Sequence, residues 1–345
     1  MSGSLLLVIV IVAVALVFDF INGFHDAANS IATVVATRVL TPLQAVIWAA
    51  FFNFIAAIPL FFGEAGVAST VGKGMVNLDV VTPIVILAGL LGAVFWNLLT
   101  WYYGIPSSSS HALMGGYAGA AMTKVGLTAG WSHAHEATIA HGWLITTEFI
   151  VLAPLVGLVL GYTLMTLLYW AFRHSSPKNM DIWFRRLQLV SSGLFSYSHG
   201  ANDAQKTMGI IAGVIFAAGF SKTFHVSWWI ILMAQAAIAC GTMSGGWRII
   251  HTMGGRLTKL KPRGGFCAET AGAIAILLPT YLRIPVSTTQ VITGAIAGVG
   301  SIQRFKAVRW GLATNILWAW ILTLPASAAV GAISFGLIHL LTGKQ

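Results

Sequence analysis

The chain has 345 residues, of which 57% are hydrophobic and 8% charged, with a formal net charge of +10 and a mean hydropathy of +0.84. Soluble domains carry about 25% charged residues, so a soluble globular fold is excluded. A helical span takes about 20 apolar residues, so this length holds roughly ten, and the apolar runs do not alternate as the strands of a membrane barrel do.

In chain order, polar punctuation leaves apolar segments near 4–38, 43–62, 80–103, 105–123, 143–170, 188–220, 226–247, 264–282, 285–301 and 307–340. The first resembles a signal peptide superficially. It has no basic leader, and Asp19, Asn22, His25 and Asp26 stand where a cleavage site would lie, so it reads as a retained helix. Segments 105–123 and 285–301 are short, begin at Ile-Pro and are rich in Ser, Thr and Gly. They read as re-entrant or broken helices. Cys240 and Cys267 both fall in apolar stretches and offer neither a disulfide framework nor a metal quartet.

The cations sit in connecting segments. Thirteen of the nineteen fall on one side of the chain's zigzag: Arg38, Arg173, Lys178, Arg185, Arg186, Arg248, Arg256, Lys259, Lys261, Arg263, Arg304, Lys306 and Arg309. Lys73, Lys124, Lys222, Arg283 and Lys344 fall on the other, and Lys206 lies inside a segment. This asymmetry predicts cytoplasmic basic loops and both termini outside.

The chain also repeats. Phe18-Asp19-Phe20-Ile21-Asn22-Gly23-Phe24-His25-Asp26-Ala27 aligns with Phe195-Ser196-Tyr197-Ser198-His199-Gly200-Ala201-Asn202-Asp203-Ala204. Ile105-Pro106-Ser107-Ser108-Ser109-Ser110-His111 aligns with Ile284-Pro285-Val286-Ser287-Thr288-Thr289-Gln290, followed by matched Gly115/Gly294 and Gly119/Gly298. Five crossings per half is odd, so the second half is expected upside down. The expected fold class is therefore an all-α polytopic membrane protein of two inverted-topology repeats, residues 1–172 and 188–345, joined by a basic cytoplasmic linker at 173–187. Such repeats belong to secondary transporters, with the site where the halves meet.

Asp26 and Asp203 lie at matched places inside apolar segments, where an acid costs about 2.5–3.5 kcal/mol on insertion scales. Asn29 follows Asp26 by one turn and faces the same way. Asp and Asn oxygens are hard ligands suited to a small cation, so Asp26, Asn29, Asn202 and Asp203 are candidates for handling a coupling cation or proton, joined by Lys206, a tethered positive charge one turn after Asp203. The proline-led hydroxyl runs, Ser108, Ser109 and Ser110 with Ser287, Thr288 and Thr289, predict two helix N-termini able to hold one tetrahedral oxyanion between them. His25, His111 and His199 adjoin these motifs and suit either proton transfer or hydrogen-bonded support. Glu148 and Glu269 are unduplicated intramembrane acids, so function and structure remain open for both. His133, His135, Glu136 and His141 read as a solvated loop before they read as a metal site.

At Asn22-Gly23-Phe24-His25-Asp26-Ala27-Ala28-Asn29, His199-Gly200-Ala201-Asn202-Asp203, Pro106-Ser107-Ser108-Ser109-Ser110-His111 and Pro285-Val286-Ser287-Thr288-Thr289, the chain resembles the inorganic phosphate transporter (Pit) family. The resemblance runs through both halves. It implies a homodimeric symporter of the cytoplasmic membrane, with phosphate against the Ser/Thr motifs and coupling ions against Asp26, Asn29 and Asp203. In the sodium-coupled branch both repeats carry Asp-x-x-Asn. Here the second copy reads Asp203-Ala204-Gln205-Lys206, which resembles the bacterial low-affinity branch and implies proton linkage. That branch also suggests a divalent metal–phosphate complex as substrate, and no cofactor. The alternatives are a sodium-coupled phosphate symporter, a sulfate permease, a passive anion channel, and an intramembrane Ser-His-Asp hydrolase. The last is disfavoured because a triad needs one activated nucleophile rather than two symmetric hydroxyl clusters.

Overall fold

The computed structural model describes residues 2–251, 258–303 and 308–343. Twelve α-helices are described: α1 (Ser2–Ala36), α2 (Pro42–Ile55), α3 (Gly66–Lys73), α4 (Pro83–Tyr102), α5 (Ser109–Thr128), α6 (Ala140–Ala171), α7 (Pro177–Ala217), α8 (Trp228–Ser244), α9 (Trp247–His251), α10 (Pro262–Tyr281), α11 (Thr288–Gln303) and α12 (Trp310–Thr342). Among the described residues there is no strand, only an isolated bridge between Val76 and Thr138. Among the described residues, five helical stretches are long and apolar enough to cross a bilayer: Leu5–Ala36, Pro42–Phe61, Pro83–Tyr102, Ala140–Ala171 and Trp310–Thr342. Arg256, Arg304, Lys306 and Lys344 lie outside the described residues.

The starts follow from local chemistry. Thr41, Thr82 and Ser176 each cap a helix whose first residue is proline, accepting from the backbone N–H groups of Gln44, Val85 and Asn179. Proline there gives up only an N–H that has no helical partner, and its fixed φ suits the first turn. Each of the ten apolar segments holds a helix, with two departures. α7 begins at Pro177, so Lys178, Arg185 and Arg186 lie on its opening turns and not in a free linker. The short α3 was not expected; its Val67, Ala68 and Val71 are buried, and it packs on α7.

Polarity is distributed opposite to that of a soluble protein. Leu152, Leu155 and Val159 of α6 and Trp318, Ile321 and Leu322 of α12 are exposed, whereas Asp26, Asp203, Lys206 and Glu269 are buried. Two apolar cores, one around α4 and α5 and one around α10 and α11, flank this polar centre. α5 packs against α4 and α12, α11 against α10 and α6, and α1 and α7 against each other. Small residues let the backbones approach closely. A Cβ at Gly119 would lie 2.1 Å from the Ala328 carbonyl oxygen of α12, and one at Gly298 would lie 2.1 Å from that of Leu158 in α6. The helix starts of α5 and α11 are thereby held beside the motifs of α1 and α7.

Candidate functional site

The two hydroxyl motifs begin their helices in the same way. The Ser108 hydroxyl accepts from the His111 N–H at 3.2 Å, and the Ser287 hydroxyl accepts from the Gln290 N–H at 3.4 Å. Each serine caps its helix, leaving the next two residues to present hydroxyls and the unpaired N–H groups of a first turn.

Both first turns reach Asp26. Its Oδ1 accepts from Ser109 at 3.5 Å and Thr289 at 3.5 Å, and its Oδ2 accepts from Thr288 at 3.4 Å. A carboxylate thus lies where two helix N-termini converge. His25 supports it through Nδ1 at 2.8 Å, its Nε2 facing Thr100 at 3.2 Å and Ser107 at 3.3 Å. Asn29 donates to Thr289 at 2.8 Å, fixing that hydroxyl's position.

Asp203 is held by a different set. Lys206 donates to its Oδ1, to Ser110 and to the Val286 carbonyl oxygen at 2.8 Å. The ammonium's three protons are all used, and the residue is 2% exposed, so it does not snorkel to a headgroup. Asp203 Oδ2 lies 3.4 Å from the Thr288 hydroxyl and 3.3 Å from His199 Nε2. Thr288 is therefore shared by both carboxylates, although one hydroxyl proton serves only one at a time. Nδ1 of His199 meets Asn53 Oδ1 at 3.1 Å. Oxygen or nitrogen atoms of Asp26, His199 and Asp203 all lie within 4.8 Å of one another, close enough to share one cation. Asn202 holds the approach to α11, donating to Thr280 at 2.7 Å and accepting from the Val286 N–H at 3.4 Å.

All eleven sequence-derived candidates are buried, and the contacts above bring them to one centre. The other polar residues separate. Glu269 is enclosed by Thr33 at 2.6 Å, Gln188 at 2.8 Å and Ser191 at 2.5 Å, which ties α10 to α1 and α7. Glu148 is exposed on α6. His133 and Glu136 pair at 2.8 Å on an exposed turn, and that hydrogen bond lowers the Glu136 carboxyl below its ordinary range. His135 and His141 are exposed beside them. Sequence reasoning missed Asn53 and Thr100, which position the two histidines; each is an isolated polar residue in an apolar run, and that is a readable signal.

A sequence model of the phosphate transporter family matches residues 22–183 and 171–331. The chain belongs to the phosphate transporter family. Among its relatives is the Rhizobium meliloti (strain 1021) protein described as "Probable low-affinity inorganic phosphate transporter", 53% identical over 95% of this chain and 96% of that one. A Bacillus subtilis (strain 168) protein with the same description is 43% identical over 99% of this chain and 100% of its own length. Among solved structures, "The sodium-dependent phosphate transporter" superposes with a TM-score of 0.87 at 24% identity, covering 97% of this chain and 99% of that one; this likeness concerns the fold. Membership of the phosphate transporter family, with the apolar helices, makes the chain a multi-pass membrane transporter and sets aside the hydrolase reading.

Proposed function

We propose that the chain imports inorganic phosphate across the cytoplasmic membrane by proton symport. The observation that carries this reading is a charge count in a dry site: the carboxylates of Asp26 and Asp203 share Thr288, and one ammonium, Lys206, is present. One negative charge is left over, and an incoming oxyanion adds to it. A proton on Asp26 removes that excess and loosens its hold on Ser109, Thr288 and Thr289, freeing those hydroxyls and the two helix N-termini for the anion. Phosphate fits better than sulfate because it still carries protons at neutral pH and can donate to a carboxylate.

Several features support the rest of this reading. Helices α6 and α12 end the two halves, and each packs on the hydroxyl-led helix of the other half. That exchange suits inverted repeats over 1–172 and 188–345 around the 173–187 connection. We place the basic loops and that connection in the cytoplasm, both termini outside, and the working unit as a homodimer.

A sodium-coupled mechanism is the competing reading, favoured by the likeness in fold to a sodium-dependent transporter. Lys206 opposes it, because a fixed ammonium between Asp203 and Ser110 repels a second cation there. The deciding measurement is labelled-phosphate uptake into proteoliposomes under separately imposed proton and sodium gradients. Uptake should follow the proton gradient and ignore sodium, and Lys206→Asn should lose that uptake or become sodium-responsive. A sodium requirement in the wild type refutes proton coupling.

A further inference from the structure

We infer that Asp19, with Asn22 and Thr207, forms a proton-binding site separate from the Asp26–Asp203 pair and loads the coupling proton; this rests on the proton-symport reading. Asp19 precedes Asp26 by seven residues on α1, about 10 Å along the axis, and Asn22 shares its face. It is 0% exposed. Thr207 of α7 and Asn22 are the side chains beside its carboxyl group, yet neither carboxyl oxygen has a hydrogen-bond partner among the described residues. The same holds for Asn22 Oδ1 and Thr207 Oγ1. A buried carboxylate whose neighbouring donors are two neutral side chains, neither in good hydrogen-bond geometry, is disfavoured in its ionised form, whereas a protonated one can itself donate to these waiting oxygens.

The charged groups facing Asp19 are Asp203 and Lys206 of α7. Lys206 is committed to Asp203, Ser110 and Val286. Helices α2, α4, α8 and α11, which also pack on α1, contain no Asp, Glu, Lys or Arg. Of the remaining neighbours, His25 is held by Asp26, His199 faces Asp203, Glu269 is enclosed with Thr33, and Arg248 lies against Tyr102. His111 of α5 lies near Lys206. Among the described residues, no cation is hydrogen-bonded to Asp19, and Lys206, the cation that faces it, is committed to Asp203.

A proton suits this place better than sodium. Sodium sites in such folds draw on unwound backbone carbonyls, and α1 and α7 run unbroken past residues 19, 22 and 207. The repeat makes the point independently. The position matching Asp19 is Ser196, whose hydroxyl simply bonds back to the Ser192 carbonyl oxygen at 2.8 Å, so the architecture does not require an acid. Asp203 is locked by Lys206 and Asp26 is held by His25 and three hydroxyls. Asp19 can gain or lose a proton without dismantling a contact, so it can take the proton up before that proton passes to Asp26, whose protonation frees Ser109, Thr288 and Thr289.

Asp19→Asn mimics the protonated acid permanently. In proteoliposomes it should keep phosphate counterflow at equal pH and lose accumulation driven by a pH gradient, with Asp19→Glu restoring accumulation. Accumulation by Asp19→Asn equal to that of a gradient-responsive wild type overturns the assignment. A wild type indifferent to the pH gradient overturns the symport reading, and this inference with it. Should Asp19→Asn fail to insert, the wild type decides. Dicyclohexylcarbodiimide, which modifies protonated buried carboxyls, should label Asp19 increasingly as pH falls, read by peptide mass spectrometry. Absence of labelling at Asp19 while another buried carboxyl of the same sample is labelled overturns the assignment.

Discussion

Asp26 and Asp203 occupy matched sequence positions but are held differently, and their neutral variants should separate accordingly. Asp26 accepts from hydroxyls and His25, all of which tolerate an amide oxygen. Asp203 is the countercharge of a buried ammonium. Removing one partner of such a pair is destabilising by about 3–5 kcal/mol, because a dry charge is left uncompensated. Asp26→Asn should therefore keep its thermal transition in detergent and lose concentrative phosphate uptake, while Asp203→Asn should lose both. Near-wild-type accumulation in Asp26→Asn would remove that carboxylate from the coupling step. These eleven residues were legible in the sequence because the repeat duplicates most of them. What the sequence could not supply is partnership across the chain. The three donors around Glu269 come from residues 33, 188 and 191, and the isolation of Asp19 is a property of what does not reach it. Neither is encoded in local spacing.

At the scale of helices, α5 and α11 depend on glycine faces for their depth. Cβ atoms at Gly115 and Gly119 would strike α12, and Cβ atoms at Gly294 and Gly298 would strike Pro154 and Leu158 of α6. Backbone atoms cannot swing aside as a flexible side chain does, so a methyl there pushes the helices apart, at a cost typically of about 1–3 kcal/mol for overpacking. Gly119→Ala and Gly298→Ala should each lower the thermal transition and weaken phosphate binding by displacing Ser109 or Thr288. Gly336 of α12 has open space around it, so Gly336→Ala should leave stability unchanged or raise it slightly through helix propensity. A stable, fully binding Gly298→Ala protein would refute the close-packing account. Hydropathy located these helices but not all their limits. α7 continues through Lys178, Arg185 and Arg186 because a capped start at Ser176 and Pro177 extends an apolar helix into polar surroundings, where hydropathy gives no signal. α3 is eight residues with mixed polarity, and its burial comes from α7 rather than from its own composition.

For the whole molecule, we propose that the cations fall at two opposite ends, as the charge asymmetry of the sequence predicts. At one end Arg185 donates to the Arg38 carbonyl oxygen, Arg248 reaches the Tyr102 carbonyl oxygen at 2.6 Å, and Arg263 lies 5.4 Å over the Tyr169 ring. At the other, Arg283 pairs with Glu64 at 2.8 Å, Lys124 reaches the Val80 carbonyl oxygen at 3.0 Å, and Lys73 lies 5.6 Å over the Phe224 ring. Two clefts, of about 440 and 470 Å³, open at this second end. One runs to Gln205 and Thr280, beside Asn202, and the other passes Lys73, His141 and Arg283 to Pro285 at the head of the second hydroxyl motif. A positively lined mouth raises the local concentration of anions, and Lys73, His141 and Arg283 line the second cleft, so anion entry at the Arg283 end is the proposal that this cleft supports. On the proposed orientation, with the more basic end in the cytoplasm, that mouth would face outward, as import needs. The expectation is directly measurable in a variant carrying Cys240→Ser and Cys267→Ala. In intact cells a membrane-impermeant thiol reagent should label Glu64→Cys, whereas Lys178→Cys should react only after the membrane is opened. Both positions are exposed, so access rather than burial controls the outcome. The reverse pattern would invert the molecule and turn the mouth toward the cytoplasm. Labelling of both sites in intact cells would place the two charge groups on one face of the membrane and dismantle the two-ended arrangement on which anion entry depends.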